Sequence, residues 1–164
     1  MLSEVLKNPP FRSANTLLNK LYFYLFVVPA PFACTADNHL FVLESKTGSL
    51  ASYNYPLPYD DKIECIWRFQ FDTDYKIKLS FDFFNLSHST DCSEDYVEVR
   101  DDASGTGELL GKFCGSNKPV PITSDSWDMY VAFKSSGKTK YPGFKASYET
   151  KSKYFRPKYS GTPI

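Results

Sequence analysis

Residues 63–83 read IECIWRFQFDTDYKIKLSFDF, and two alternating runs in this stretch decide the fold class. Apolar side chains fall on every second residue of each run, and in the second run lysines occupy the opposite face. A period of two places successive side chains on opposite faces of an extended chain, so each run predicts a β-strand with one buried face. The predicted inward side chains are Cys65, Trp67, Phe69 and Phe71, then Tyr75, Ile77, Leu79, Phe81 and Phe83.

The same alternation returns further along the chain, in residues 96–100, 129–134 and 144–149. Short polar clusters that contain aspartate, serine or glycine separate these runs and suit turns. No segment keeps a helical period for long enough to predict a helix. Short strands at a spacing of about ten residues indicate an all-β sandwich or barrel.

The composition agrees with a globular β domain and excludes some classes of partner. Hydrophobic residues make up 42% of the 164 residues and aromatic residues 17%, and aromatic side chains favour strands. Lys and Arg number 19, as do Asp and Glu, so no overall charge favours a nucleic acid or a membrane surface.

Four cysteines stand at Cys34, Cys65, Cys92 and Cys114, all within or beside the patterned region. Their wide spacing and the lack of clustered histidines do not suit a zinc site. An even number at such spacing predicts two disulfides, and therefore an oxidising compartment. The residues alone leave three pairings open.

The two ends of the chain differ from the middle. Residues 1–33 carry Lys7, Arg12 and Lys20 before an apolar run at 21–33, which is too short to span a bilayer but suits the core of a signal peptide. We expect a leader over 1–33, although neither Ala30 nor Ala33 offers a good cleavage site. Residues 150–164 contain four cations and no acid, which predicts a basic linker or tail.

The cysteines and their neighbours resemble the CUB domain, an extracellular module of about 110 residues. The matching segments follow the family order through most of the chain, and the one clear departure is a missing proline near Ser52. They are 48–56 (GSLASYNYP), 65–67 (CIW), 81–84 (FDFF), 92–99 (CSEDYVEV), 110–115 (LGKFCG), 121–124 (PITS) and 141–148 (YPGFKASY).

The resemblance implies a specific architecture and disulfide pairing. It implies two antiparallel sheets packed as a jelly-roll-like β-sandwich, with the module at residues 34–149. It also implies sequential bridges, Cys34–Cys65 and Cys92–Cys114, each contributing about 3–4 kcal/mol in the chain-entropy model.

Many members of the family hold calcium at one end of the sandwich through three acidic residues. In this chain Asp95 matches one of those positions, whereas Ser87 and Ser136 stand at the other two. Calcium takes six to eight oxygen ligands, usually including several carboxylates. We therefore expect no firmly held cofactor, and at most a weak calcium site.

Asn85, Leu86 and Ser87 form an N-glycosylation sequon on the same rim. Together with the missing acids, the sequon makes the chain closer in character to the calcium-independent, spermadhesin-like members of the family.

These features predict a secreted extracellular module that binds a protein partner, with Tyr59 and Tyr141 as candidate contacts. One alternative is a spermadhesin-like protein that binds carbohydrate or glycosaminoglycan, and another is a non-catalytic appendage of an astacin-type secreted protease. The candidate glycan-binding cations are Lys76, Lys78, Lys151, Lys153, Arg156 and Lys158.

No arrangement of residues predicts catalysis. The histidines are His39 and His88, and neither belongs to a G-x-S-x-G elbow or to another nucleophile motif. The paired acids Asp60–Asp61 and Asp101–Asp102 fall in predicted turns, where adjacent side chains point apart. We therefore expect a binding domain and no enzyme.

Overall fold

A computed structural model describes residues 32–35, 40–137 and 140–154. Its ten strands form two five-stranded sheets packed face to face, which confirms the all-β sandwich with two disulfides. The strands are β1 (Phe32–Ala33), β2 (Leu40–Leu43), β3 (Thr47–Ala51), β4 (Glu64–Gln70), β5 (Tyr75–Asn85), β6 (Tyr96–Arg100), β7 (Leu109–Phe113), β8 (Ile122–Thr123), β9 (Asp128–Lys134) and β10 (Gly143–Ser152).

The first sheet has the strand order β1-β3-β10-β5-β8, and the second has the order β2-β4-β9-β6-β7. The strand pairs are antiparallel except β1 with β3 and β2 with β4, which are parallel edge pairs. The two runs that predicted strands, β4 and β5, are joined by a short turn but belong to opposite sheets. Their apolar faces therefore meet across the interior of the sandwich.

Aromatic rings fill the centre of that interior. Trp67 is fully buried, stacks on Phe41 and meets Phe144 edge-on at a centroid distance of 5.8 Å. Its indole Nε1 donates a hydrogen bond to the Phe32 carbonyl at 2.8 Å, so the polar atom of this ring is satisfied. Trp67 is thus a core residue, as its position in the alternating run at residues 63–71 predicted.

The prediction for Phe83 was wrong. Its side chain is 38% exposed, whereas Phe84 points inward and is 5% exposed. The β5–β10 register shifts between Lys145 and Ala146, which reverses the alternation beyond Phe81. A β-bulge of this kind inserts one residue and moves the following side chains to the other face.

Strands extend past both predicted boundaries of the module. β1 lies within the predicted leader, and Phe32 packs against the core, so residues 32–33 belong to the sandwich. At the other end β10 continues through Ser152, and Lys151 pairs with Lys76 of β5. The first residues of the predicted tail therefore complete a central strand.

Both bridges join the cysteines in sequential order. Cys34 follows β1 in the first sheet and is bonded to Cys65 of β4 in the second, so this bridge ties the two sheets together. Cys92 ends a short 3-10 turn at Thr90–Cys92 and is bonded to Cys114, which follows β7. The second bridge fixes the loops at one end of the sandwich.

Among the described residues, no helix has the length and apolar character needed to cross a bilayer.

Candidate functional site

The loops at one end of the sandwich bring together Tyr59, Ser87, Asp95 and Ser136, which we call the Asp95 rim. Ser87 follows β5, Asp95 precedes β6, Ser136 follows β9, and Tyr59 lies in the β3–β4 connection. The three positions that the family resemblance assigns to a calcium site are therefore neighbours in space. Tyr59 is a fourth member that the resemblance did not supply.

Hydrogen bonds within the rim occupy both oxygens of the Asp95 carboxylate. The Tyr59 hydroxyl donates to Oδ2 at 2.8 Å, and the Ser136 backbone N–H donates to Oδ1 at 2.8 Å. The Ser136 hydroxyl adds a longer bond to Oδ1 at 3.3 Å. Because Asp95 is only 3% exposed, its charge depends on these donors for stabilisation.

Tyr59 extends the network to Ser87. Its hydroxyl accepts a hydrogen bond from the Ser87 N–H at 3.1 Å while donating to Asp95. The ring packs edge-on against Phe133 at a centroid distance of 5.1 Å. One tyrosine therefore connects the loop after β5 to the loop before β6 and anchors both in the core.

The expectation that Tyr59 is a partner contact was wrong, because its side chain is 2% exposed and buried in the core cluster. Tyr141, the other candidate, is 40% exposed. Its carbonyl accepts a hydrogen bond from the Tyr59 N–H at 3.2 Å, which holds Tyr141 beside the rim.

The oxygen ligands that the rim offers do not suit a firmly held calcium ion. It offers one carboxylate, whereas calcium requires six to eight oxygens and gains much of its affinity from several anions. That carboxylate already accepts hydrogen bonds from two side chains and one backbone amide. In the described part of the chain, no three His, Cys, Asp or Glu residues are placed to share a metal ion.

A cleft of about 220 Å³ adjoins the rim. Asn85 of the sequon lines it together with Tyr141, His88, Cys114 and Asn117. The His88 ring packs closely on Gly115, whose added Cβ would lie 3.2 Å from His88 Cδ2. His88 is therefore a wall of this cleft, with no nucleophile motif around it.

Four of the candidate glycan-binding cations lie on or beside the outer face of the first sheet. The register places Lys76 directly opposite Lys151, and Lys78 opposite Glu149. Lys78 and Lys151 both approach Glu149 at 3.5 Å, while Lys76 bonds Asp125 at 2.7 Å and so lowers the pKa of that carboxyl. Lys153 lies over the Trp127 ring. Arg156 and Lys158 lie outside the described residues, as does His39.

The fold and the rim define the class: a disulfide-bonded β-sandwich with a loop site at one end. The family model of the CUB domain matches residues 35–148, and the chain belongs to that family.

Tolloid-type proteins are among its relatives. Human tolloid-like protein 2 is 31% identical over 133 residues, which cover 81% of this chain and 12% of the relative. A bone morphogenetic protein 1 homolog from Strongylocentrotus purpuratus is 38% identical over 101 residues, covering 62% of this chain and 16% of that protein. The chain thus spans a small part of the length of these relatives.

A solved structure of the MASP-1 CUB2 domain bound to Ca²⁺ superimposes with a TM-score of 0.60 and 26% identity, covering 71% of this chain and 99% of that one. A related CUB domain therefore binds calcium on the same fold. Together with the tolloid-type relatives, this similarity supports the CUB family as a whole, and it does not single out the spermadhesin branch.

Proposed function

We propose that the chain is a secreted, extracellular protein-binding module whose loop rim is ordered by hydrogen bonds and does not use calcium. The single observation that carries this proposal is the Asp95 carboxylate, buried and bonded on both oxygens by Tyr59 and Ser136. A cation would have to displace those hydrogen-bond donors, and the four rim residues offer it one carboxylate. In this proposal the module of residues 34–149 lies between a leader and a basic tail, and its sandwich extends into both flanks through β1 and the end of β10.

Restoring the missing acids tests the proposal directly. The Ser87→Glu/Ser136→Asp double variant supplies three carboxylates at neighbouring positions, so its melting temperature should rise by about 4–8 °C at millimolar calcium relative to EGTA. The native chain should melt within about 1 °C in the two buffers. A calcium-dependent rise of several degrees in the native chain would contradict the calcium-free rim.

The proposed partner contact is an apolar strip on the outer face of the second sheet. Leu40 and Val42 of the edge strand β2 are 48% and 50% exposed, and Ile66 is the register partner of Leu40. Adjacent exposed apolar side chains at a sheet edge are typical of protein contacts, since burying them is favourable. Lone exposed hydrophobic residues elsewhere need no such explanation.

Val42→Lys tests this strip, with Val120→Lys as its matched control, because Val120 is 78% exposed and lies outside the strip. The immobilised chain should retain an extracellular protein from conditioned medium in EGTA, and Val42→Lys should reduce retention at least about tenfold. The control should bind like the native chain. Equal binding by Val42→Lys would reject the strip as the contact.

The lysine face supports a second candidate function, binding to sulfated glycosaminoglycan. Lys76 and Lys151 lie directly opposite each other, and their ion pairs with Asp125 and Glu149 are exposed to solvent, where a polyanion can compete for the two lysines. If the face binds heparin, Lys151→Glu should shift elution to clearly lower salt, whereas Lys134→Glu on β9 should leave it unchanged. No retention of the native chain at low salt would reject this candidate.

A further inference from the structure

The sequon and the cleft lie together at the end of β5. Asn85 is the last residue of that strand, and its register partner is Gly143, two residues after Tyr141. Asn85, at the end of β5, and Tyr141, in the segment just before β10, therefore line the same cleft. The sequence alone showed the sequon, but it did not show an exposed aromatic ring beside it.

We infer that Asn85 carries an N-linked glycan whose first N-acetylglucosamine occupies this cleft against the Tyr141 ring. The inference rests on the extracellular location in the proposed function, because the modification requires passage through the secretory pathway. It adds a ligand of defined chemistry to a surface that the proposed function leaves unused.

The modification forms one bond and breaks another. The Asn85 side-chain nitrogen bonds to the anomeric carbon of the sugar and loses one proton, while the bond from that carbon to the pyrophosphate of a lipid-linked oligosaccharide breaks. A cellular transferase supplies the catalysis. This chain supplies the amide nitrogen and the Leu86-Ser87 remainder of the sequon.

The chemistry of the cleft suits one sugar ring. Its volume of about 220 Å³ lies below the roughly 300–1,000 Å³ of typical small-molecule sites, so it holds a single ring better than an extended oligosaccharide. Tyr141 is 40% exposed and offers an apolar ring face with a polar tip. Ser116 and Asn117 on the wall provide polar groups for the acetamido and hydroxyl substituents.

The local backbone holds the cleft in shape. The Leu86 N–H donates to the Gly115 carbonyl at 2.8 Å, and the Gly115 N–H donates to the Ser87 carbonyl at 3.0 Å. These bonds fix the sequon against the segment that follows Cys114, which is itself bridged to Cys92. A sugar placed here meets a preformed surface and loses little further conformational freedom of the protein.

A glycan in this position also bears on where a partner binds. It covers Tyr141 and the adjacent bridge at the rim, whereas Leu40 and Val42 lie on the second sheet. Tyr141 is thus assigned to the protein's own glycan, and the partner contact stays with the apolar strip.

The test expresses the full chain in a eukaryotic cell line, once as it stands and once with an added secretion signal. The secreted product should lose mass on treatment with a peptide-N-glycosidase, and Asn85→Gln should abolish that change. Secretion without a glycan on either version would overturn the inference while leaving the proposed function intact. Secretion of only the version with the added signal would instead count against the proposed location.

Packing is tested by thermal unfolding of four proteins: native, Tyr141→Ala, Asn85→Gln and the double variant. Tyr141→Ala should lower the melting temperature by about 2–5 °C in the glycosylated protein and by less than about 1 °C in the Asn85→Gln background. Tyr154→Ala, which removes a tyrosine ring that is 66% exposed, serves as the control and should have no effect in either. Equal effects of Tyr141→Ala in both backgrounds would overturn the inferred contact between the first sugar and the Tyr141 ring.

Enzymatic trimming provides a second measurement without mutation. An endoglycosidase that leaves one N-acetylglucosamine should preserve the melting temperature, and complete removal should lower it by the same few degrees. A fall in the melting temperature on trimming to one sugar would place the stabilising contact further out on the glycan and overturn the inference.

Discussion

Two buried tyrosines differ in the environment of the hydroxyl group, and phenylalanine variants measure that difference. The Tyr59 hydroxyl donates to Asp95 and accepts from the Ser87 N–H. The Tyr148 hydroxyl is buried with no hydrogen-bond partner among the described residues, and burial raises its pKa. Both side chains are at most 3% exposed, so each substitution removes one oxygen from the interior.

The expected effects have opposite signs. Tyr59→Phe removes a hydrogen bond to a buried carboxylate, a type of bond that contributes about 1.5–3 kcal/mol. It also removes the hydroxyl oxygen that accepts the hydrogen bond from the Ser87 N–H. We expect a loss of about 2–4 kcal/mol, which corresponds to a fall of about 10 °C in melting temperature. Tyr148→Phe removes an unsatisfied polar atom and should be neutral or stabilising by about 1 kcal/mol.

Urea unfolding followed by tryptophan fluorescence measures both variants, since Trp67 reports from the core. The ring of Tyr59 stays in contact with Phe133 in the variant, so a change in packing does not account for the loss. A Tyr59→Phe loss below about 0.5 kcal/mol would refute the role of the hydroxyl in ordering the rim. A loss for Tyr148→Phe equal to that for Tyr59→Phe would show that the hydrogen bonds do not distinguish the two sites.

Three other predictions concern the second disulfide, Gly48 and Asp128. The Cys92→Ser/Cys114→Ser double variant should lose about 3 kcal/mol and be secreted in reduced amount, as measured by unfolding and by yield, because the bridge closes a loop of 22 residues; unchanged values would contradict this. Gly48→Ala should cost about 1–3 kcal/mol in urea unfolding, since its Cβ would lie 2.6 Å from Tyr148 Oη; an unaffected midpoint would show that the ring can move aside. Burial raises the pKa of Asp128, so the folded protein binds a proton at this carboxyl more tightly than the unfolded chain does. The stabilisation that this proton gives is present at low pH and is lost as the pH rises through the raised pKa. Asp128→Asn should therefore be slightly more stable than the native chain at pH 7, by less than about 1 kcal/mol, and lose that advantage at pH 3, and an equal difference at both pH values would contradict the assignment.

Periodicity identified the strands whose two faces differ strongly in polarity. β4, β5, β6, β9 and β10 carry a continuous apolar stripe, and each was predicted within a few residues. The short edge strands β1 and β8 have two residues each, too few to show a period. The error at Phe83 has another cause, because β5 bulges at Asp82, where consecutive residues of β10 pair with Phe83 and Phe81, and the alternation in the sequence does not show where a strand bulges.

The rim could be predicted in part. The family resemblance placed Ser87, Asp95 and Ser136 at related positions, and the structure brings them together. The bonds themselves join residues 36 and 41 positions apart, so no local pattern indicates that Tyr59 and Ser136 are the donors to Asp95. Tyr59 is also an aromatic residue in a loop, a pattern that suits a surface contact equally well. Only the packing shows that it is buried.

The replacement of acids by serines changes what controls the rim. A metal that binds only the folded state stabilises it by mass action, so the order of a calcium-bound rim depends on the calcium concentration around it. Hydrogen bonds from Tyr59 and Ser136 belong to the chain itself and have no such dependence. The single remaining carboxylate is still needed, because the two donors would otherwise be buried without an acceptor. Asp95 thus has a structural role in the proposed calcium-free rim, and on that proposal we expect the loops to stay ordered whether calcium is abundant or scarce.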